Sequence, residues 1–420
     1  MTDTMVRPSR AHAVAYLAFM SALLAVGIDI MLPAFDEIRE EFDLAAGSGS
    51  VTPIVTVYFI AMGATQLVHG PLSDRFGRKA VIFLGIGLYA VGCIGTLVAP
   101  SIGWILTARV VWGAGAATFA VIYGAIARDL YSGDDMARVV SVVNAVFLIG
   151  PILTPLLGEA LVETLPWRSV VVASLTINVV LMFWTLRFPE TLAPADRRSF
   201  SVGTIARSVR RVVRHRSSFF HLLSTTFLYA PFFVFLASSQ PIMDEIYGRA
   251  DEFAFWFAAG SIPSAAALLV SQRLVGRHGL RSVLVPAAGG MMIIAIAWMA
   301  VTLAADGTPS FWAWLALMVA VNSLILVQSA LHISAALDPM GDIAGVAAAL
   351  VGVFGSVGGA VLASPINQAI TTTVTPMVLC YVGYGAAAVG CTVIALTASK
   401  QHRDDATAAA ADASATPEPA

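Results

Sequence analysis

Charged residues are scarce in this sequence. They make up 12% of its 420 residues, which is about half the share found in soluble globular domains. Apolar residues make up 58%. A soluble domain of this length does not need so much apolar surface. The composition therefore argues against a soluble enzyme and favours a chain that crosses a membrane many times.

Cysteine and the common ligand-binding motifs are equally scarce. Cys93, Cys380 and Cys391 lie inside apolar runs, so we expect them to face lipid or pack between helices and not to form disulfides or bind metal. The sequence contains no phosphate-binding loop that ends in Gly-Lys-Ser/Thr, and no spacing of His, Cys, Asp or Glu suits a metal site. We therefore expect no cofactor, no metal and no catalytic residues.

Long apolar runs dominate what remains. A helix needs about 20 apolar residues to cross a bilayer. Twelve runs approach this length, near 12–33, 51–70, 80–98, 104–127, 138–161, 168–187, 219–241, 253–274, 282–304, 311–334, 343–366 and 376–398. They are too long and too uniformly apolar for barrel strands. The sequence therefore predicts an all-α polytopic membrane protein with twelve transmembrane helices.

The lysines and arginines alternate between the connections of these runs. The first set begins at the N-terminus and contains Arg7, Arg10, Arg75, Arg78, Lys79, Arg128, Arg138, the arginines from 187 to 216, Arg273, Arg277, Arg281, Lys400 and Arg403. The opposite set holds only Arg39, Arg168 and Arg249. Because basic connections stay on the cytoplasmic side, the pattern predicts an inner-membrane protein with both termini in the cytoplasm.

The connection from 188 to 218 divides the chain into two halves, 1–187 and 219–400. Its stretch "SVGTIARSVRRVVRHR" places Val202, Ile205, Val209, Val212 and Val213 near one helical face, with arginines elsewhere. This pattern favours a basic amphipathic helix on the cytoplasmic leaflet over a solvated linker. The composition of the tail from 401 to 420 predicts a disordered cytoplasmic segment.

A weak repeat relates the two halves. "PLSDRFGRKAV" follows the second run and "RLVGRHGLRSV" follows the eighth, so that Arg75, Gly77 and Lys79 align with Arg277, Gly279 and Arg281. Two parallel repeats of six helices form the architecture of a transporter whose halves rock around a central site. The predicted fold is therefore two six-helix bundles.

The stretch "GPLSDRFGRK" resembles the loop signature of the major facilitator superfamily, and it lies where that family carries it, between helices two and three. Its characteristic residues are Gly70, Asp74, Arg75, Gly77, Arg78 and Lys79. The glycines permit a tight turn, and the charges can pair with one another or with lipid headgroups. We expect a gating loop that latches the cytoplasmic side. The alternative is an ordinary basic loop.

Two further stretches resemble the proton-coupled drug exporters of that family, in particular their Bcr/CflA-type branch. "LTARVVWGAGAA" is similar to the fourth-helix signature, although Trp112 stands where the family often has Gln. "LIGPILTPLLG" is similar to the fifth-helix antiporter motif, which here consists of Gly150, Pro151, Pro155 and Gly158. The alternative for the second stretch is a simple proline kink.

The resemblance implies proton-driven export of small organic drugs or related metabolites by alternating access. It also implies small molecules, protons and the lipid bilayer as partners, no nucleic acid, and a monomer. A proton-coupled metabolite importer remains an alternative in the same class. A transporter-like sensor or scaffold is an alternative from another class, but the short linker and tail offer no signalling domain.

Two charges inside the predicted spans stand out. Asp29 lies in "LAVGIDIMLPAF" roughly 5–9 Å below the outer end of helix one, and Arg109 lies roughly 8 Å below the same face in helix four. Intramembrane charges usually face a cavity and pair. A pair would keep Asp29 ionised, whereas burial alone favours its neutral form. We expect the two residues to form the proton-coupling site; the alternative is a static structural pair.

The substrate site is harder to place from sequence, because the rotation of each helix about its axis is unknown. Aromatic and amide side chains in spans that line the central cavity of this family are candidates for substrate contact: Tyr58, Tyr123, Asn144, Phe147, Phe232 and Phe235. The alternative for each is packing against other helices or lipid. An apolar cavity with one acid suits neutral or cationic lipophilic compounds.

Overall fold

Helices make up almost all of the computed structural model, which describes residues 8–45, 47–197 and 202–415. The α-helices are α1 Arg10–Asp29, α2 Phe35–Glu41, α3 Pro53–Phe76, α4 Arg78–Leu97, α5 Ile102–Leu130, α6 Gly133–Val162, α7 Arg168–Arg187, α8 Val202–Arg214, α9 Arg216–Pro241, α10 Phe253–His278, α11 Leu280–Ala304, α12 Phe311–Leu337, α13 Ala344–Gly352, α14 Gly359–Ala369 and α15 Thr375–Ala415. The described residues form no β-strand.

These helices supply twelve spans that are long and apolar enough to cross a membrane, as the apolar runs predict. Two spans are interrupted and a third ends in a different type of helix. The first consists of α1 and α2 around a short 3-10 turn, Leu32–Ala34, the seventh ends in a π-turn, Ile242–Ile246, and the eleventh joins α13 to α14 through a second π-turn, Val353–Gly358. Pro33 lacks a backbone N–H, so it helps to end α1 close to Asp29.

The first six and last six spans meet along two pairs of helices. The second span, α3, packs against the eleventh span, and the fifth span, α6, packs against α10 of the eighth. Between the halves Phe59 of α3 stacks on Phe233 of α9 with ring centroids 4.3 Å apart. We call the side that carries the loop between α3 and α4 the inner side, and the opposite side the outer side.

The linker forms the predicted helix, α8, but its apolar face packs on protein. Val212 is 1% exposed and lies with Val209 in a cluster that contains Met340 and Leu350 of the second half. Val213 is exposed. The prediction of a helix lying on lipid is therefore wrong for the Val209–Val212 face, because the segments around α13 cover it.

The tail also differs from its prediction. The last helix, α15, continues to Ala415, whereas the composition of 401–420 predicts disorder. Alanine has the strongest intrinsic helix propensity, and the stretch "ATAAAADASA" supplies it where the last span leaves off. Residues 416–420 lie outside the described part of the chain, as do residues 1–7, 46 and 198–201.

Candidate functional site

Asp29 occupies the last position of α1, immediately before the chain leaves the helix. Its side chain is buried, with only 2% of the residue exposed. The buried oxygen Oδ1 has no hydrogen-bond partner among the described residues. A buried carboxyl without a partner is far less costly in its neutral form than in its charged form.

Arg109 is completely buried in α5 and binds backbone rather than carboxylate. Its Nη1 donates to the carbonyl oxygen of Gly27 at 3.0 Å, and its Nε donates to the carbonyl oxygen of Ile54 at 3.2 Å. Gly27 lies in the last turn of α1, where helix carbonyls lack intrahelical partners. Arg109 therefore holds the end of α1 two residues from Asp29.

Aromatic rings enclose the Arg109 charge. The guanidinium carbon lies 4.0 Å from the ring centroid of Tyr58 and 4.7 Å from that of Trp112. Desolvated cation–π contacts of this kind stabilise a cation that has no anionic partner. Trp112 stands where the family often has Gln. Arg109 therefore contacts an aromatic ring at this position and not a side-chain amide.

Asp29 and Arg109 therefore form no ion pair in this conformation, and their pairing in another state stays a prediction. Neither residue takes part in an ion pair with any described residue. The two charges share a layer, but Arg109 turns to two backbone carbonyls and to ring faces. Its Nη2 and the hydroxyl of Tyr58 remain buried without partners in the described structure.

The fifth-span motif packs against the same part of the first span. A Cβ added to Gly150 would overlap that of Ala25, and one added to Gly158 would lie 2.8 Å from the carbonyl oxygen of Ile30. Both glycines therefore permit close approach of α6 to the chain before and after Asp29. The helix α6 runs without interruption through Pro151 and Pro155.

Arg78 organises a cluster of side chains at the inner side. Its Nε and Nη2 donate to the two oxygens of Asp129 at 2.9 and 3.2 Å, and its Nη1 donates to Asp74 at 2.5 Å and to Ser73 at 2.8 Å. Thr191 also donates to Asp129, at 2.9 Å. We call these residues the inner cluster; they join α3, α4, α5 and the segment after α7.

Glu190 completes the inner cluster by capping α4. Its two carboxylate oxygens accept from the backbone N–H groups of Arg78 at 3.0 Å and Lys79 at 3.1 Å. Gly77 precedes them at φ 99°, a conformation that favours glycine. Lys79 Nζ donates to the carbonyl oxygens of Leu186 and Phe188 at the end of α7.

All these bonds lie within the first half and the segment directly after α7, so the gating loop does not latch one half to the other in this conformation. Within the described residues, the bonds of Asp74, Arg78 and Lys79 reach only the first half and residues 188–190 directly after it. Arg75 is exposed and lies over the ring of Phe76. In this conformation the loop stabilises its own half, and a latch between the halves stays a prediction.

A second cluster, which the sequence did not reveal, joins the halves at the outer side. Arg39 Nη1 lies 3.0 Å from Asp36 and 3.4 Å from Asp244, and its Nη2 lies 3.0 Å from Glu245. Gln240 Nε2 donates to Asp36 at 2.6 Å, and the N–H of Gly47 donates to Glu245 at 2.6 Å. We call these residues the outer cluster. The only sequence signal for it is a lone arginine among acids.

The six predicted cavity residues differ in their surroundings, and their contact with substrate stays a prediction. Tyr58 is buried beneath Arg109, inside the first half. Tyr123 donates to the exposed Asn144 at 3.4 Å, and Phe147 is half-buried. Phe232 and Phe235 lie in the second half with ring centroids 6.2 Å apart.

Comparison with known proteins assigns this arrangement to a family. Residues 17–363 match the family model for the Major Facilitator Superfamily. The chain belongs to this superfamily. It is a multi-pass membrane transporter and not an enzyme.

Members of the superfamily with drug-resistance names are similar to this chain. A bicyclomycin resistance protein homolog of Haemophilus influenzae is 28% identical over 368 residues, covering 86% of this chain and 90% of the relative. Multidrug resistance protein D of Escherichia coli is 28% identical over 190 residues, covering 44% of this chain and 48% of the relative. The sequence resemblance to this branch of the superfamily is thus confirmed.

Solved superfamily structures confirm the fold. A partially occluded, inward-open structure of the xylose transporter XylE from E. coli superimposes with a TM-score of 0.72 and 11% sequence identity. The match covers 92% of this chain and 97% of the XylE chain. At this identity the match shows the fold alone. The all-α prediction with twelve spanning helices is therefore correct.

Proposed function

We propose that this facilitator is a proton-coupled antiporter that exports small organic drugs or related metabolites by alternating access. The drug-resistance names of its relatives support export of drugs. The observation that carries proton coupling is the buried Asp29, which has an unpartnered Oδ1 and lies two residues from the Gly27 carbonyl that Arg109 binds. Buried carboxyls in membrane spans are costly and usually functional.

Asp29 is the proton carrier in this proposal. With the outer cluster intact and no carboxylate partner for Arg109, Asp29 is least costly in its protonated form. Release of the proton leaves a carboxylate that Arg109 can stabilise, because an arginine stays charged. Substrate binding at the inner side would promote this loss of the proton from Asp29.

Arg109 also binds α1, the helix that carries Asp29. Its bond to the carbonyl of Gly27 fixes the end of α1, and Gly150 and Gly158 of α6 let the fifth span follow the same segment closely. A change in the charge of Asp29 would therefore act on α1 and α6 together. The roles of Tyr123, Asn144, Phe147, Phe232 and Phe235 as substrate contacts remain part of this proposal.

The setting follows from the same proposal. We place the protein in the inner membrane with both termini in the cytoplasm, as its arginine distribution predicts. It would work as a monomer of two six-helix halves, 1–187 and 219–400, joined by the linker 188–218. The proton gradient would drive it without a bound cofactor.

Inverted membrane vesicles test the direction of transport. A growth screen of a susceptible host across an antibiotic panel first identifies a compound to which the chain confers resistance. Vesicles with an acidic interior should then accumulate this compound when they contain the protein. An importer would expel the compound under the same gradient, and a sensor or scaffold would leave its distribution unchanged; either result would refute export.

A further inference from the structure

A groove opens on the surface of the first half, away from the coupling site. It lies between the inner ends of α1 and α7 and has a volume of about 380 Å³. Its lining residues are His12, Val180, Phe183, Trp184 and Arg187. Val180 and Phe183 are 47% and 52% exposed, so the part of the groove farther from the inner side faces the hydrocarbon of the bilayer.

The hydrogen bond between His12 and Trp184 determines which nitrogen of His12 is a donor at the inner end of this groove. Trp184 Nε1 donates to His12 Nε2 at 2.8 Å, and an indole N–H can only donate. His12 Nε2 must therefore carry a lone pair, which places the proton of the imidazole on Nδ1. This Nδ1–H has no partner among the described residues. The imidazole and indole rings stack with an interplanar angle of 10°.

Arg187 adds a cation beside that donor. It ends α7 and is exposed, and it makes no ion pair with any described residue. None of the five lining residues is acidic. The nearby Arg10 forms an ion pair with Asp135 at 3.1 Å, so Arg187 is the cation that remains for a ligand in the groove.

The depth of these groups matches that of a lipid. The 20 residues of α7 span about 30 Å, which is the thickness of the bilayer hydrocarbon. Arg187 therefore lies at the level of the inner headgroups, whereas Val180 lies about 10 Å deeper. A tryptophan at this level is typical of the membrane interface.

We propose that this groove binds an acidic phospholipid of the inner leaflet. The phosphate accepts hydrogen bonds from Arg187 and from Nδ1–H of His12, and one acyl chain lies along Val180 and Phe183. Guanidinium groups suit phosphate because they donate two parallel hydrogen bonds. The net positive charge of the groove favours a headgroup with net negative charge over a zwitterionic one.

Native mass spectrometry of the full chain in detergent tests the proposal. The protein is titrated with phosphatidylglycerol and, separately, with phosphatidylcholine. The tightest-bound phosphatidylglycerol should have an apparent Kd lower than that of phosphatidylcholine. Arg187→Gln should raise this Kd about tenfold, since the variant loses charge-assisted hydrogen bonds. Phe183→Ala should raise it by a smaller factor.

The matched control is Arg281→Gln, which removes an exposed arginine from the inner end of α11 and should leave the Kd unchanged. Soluble glycerol phosphate should not displace the lipid, because it lacks the acyl chain. Equal effects of the two arginine substitutions, equal binding of the two lipids, or displacement by glycerol phosphate would each overturn the proposal.

Discussion

The inner and outer clusters are built alike but connect different parts of the molecule. Each places one arginine among acids and adds bonds from backbone N–H groups. The bonds of Arg78 join helices of the first half only, whereas those of Arg39 reach Asp244 and Glu245 of the second half. The first arrangement stabilises one bundle, and the second holds two bundles together.

This difference assigns the two clusters different roles in alternating access. Rocking of the halves must break contacts between them and can leave contacts within each half intact. The outer cluster must therefore open in every cycle, whereas the inner cluster can persist. Substitutions in the inner cluster should change stability, and substitutions in the outer cluster should change the conformational equilibrium.

The largest effect on stability should come from Arg78→Ala. Arg78 has a side chain that is only 7% exposed and binds Asp74, Asp129 and Ser73. Its removal leaves a largely buried carboxylate without a cation, which costs about 3 kcal/mol. The midpoint of thermal unfolding in detergent should fall markedly. Arg75→Ala, an exposed neighbour, should change the free energy of unfolding by less than about 0.5 kcal/mol, and equal midpoints for both variants would contradict this role.

Arg39→Ala should have the largest effect on conformation. It removes every ion pair that joins the halves in the outer cluster, and about 1 kcal/mol would shift the equilibrium towards an open outer side about fivefold. Spin labels at the exposed Glu40 and Asp251, in a background without the native cysteines, should report a larger population of long distances.

Arg168→Ala is the matched control for this shift. Arg168 also lies at the outer side and binds Glu41 through two hydrogen bonds of 2.6 and 2.7 Å, but both residues belong to the first half. Its loss should leave the distribution of label distances unchanged. A similar shift in both variants would show that charge at the outer side, and not the contact between halves, sets the equilibrium.

Glu190→Ala should have the smallest effect. It removes the acceptor for the first two N–H groups of α4, and loss of such a cap costs about 1 kcal/mol. The unfolding midpoint should fall slightly, and the spin-label distances should not change. A change in those distances would mean that the inner cluster also controls the halves.

The sequence predicts the spans well because their length and hydropathy are local properties. The same holds for the turn at Gly77, and the predicted common level of Asp29 and Arg109 agrees with the bond from Arg109 to Gly27. Depth does not give direction around the helix axis, and so the sequence cannot show that Arg109 turns to Gly27 and Ile54. The carbonyl of Gly27 is free only because α1 ends at Asp29.

Contacts between distant segments are the part that the sequence could not supply. Arg39 and Asp244 are 205 positions apart, and only the docking of the two halves brings them together. The periodicity of the linker predicts the apolar face of α8 but does not show what covers that face. In the structure it is covered by protein and not by lipid. The sequence likewise gives no partner for Asp129 or Glu190, which meet Arg78 only in the folded protein.

Proton release on substrate binding tests the central claim most directly. A weakly buffered solution of detergent-solubilised protein, with a pH indicator, receives the compound identified by the growth screen. The wild-type protein should release protons, Asp29→Glu should release fewer, and Asp29→Asn should release none while it keeps its unfolding midpoint. Undiminished release from the folded Asp29→Asn variant would contradict the assignment of Asp29 as the proton carrier.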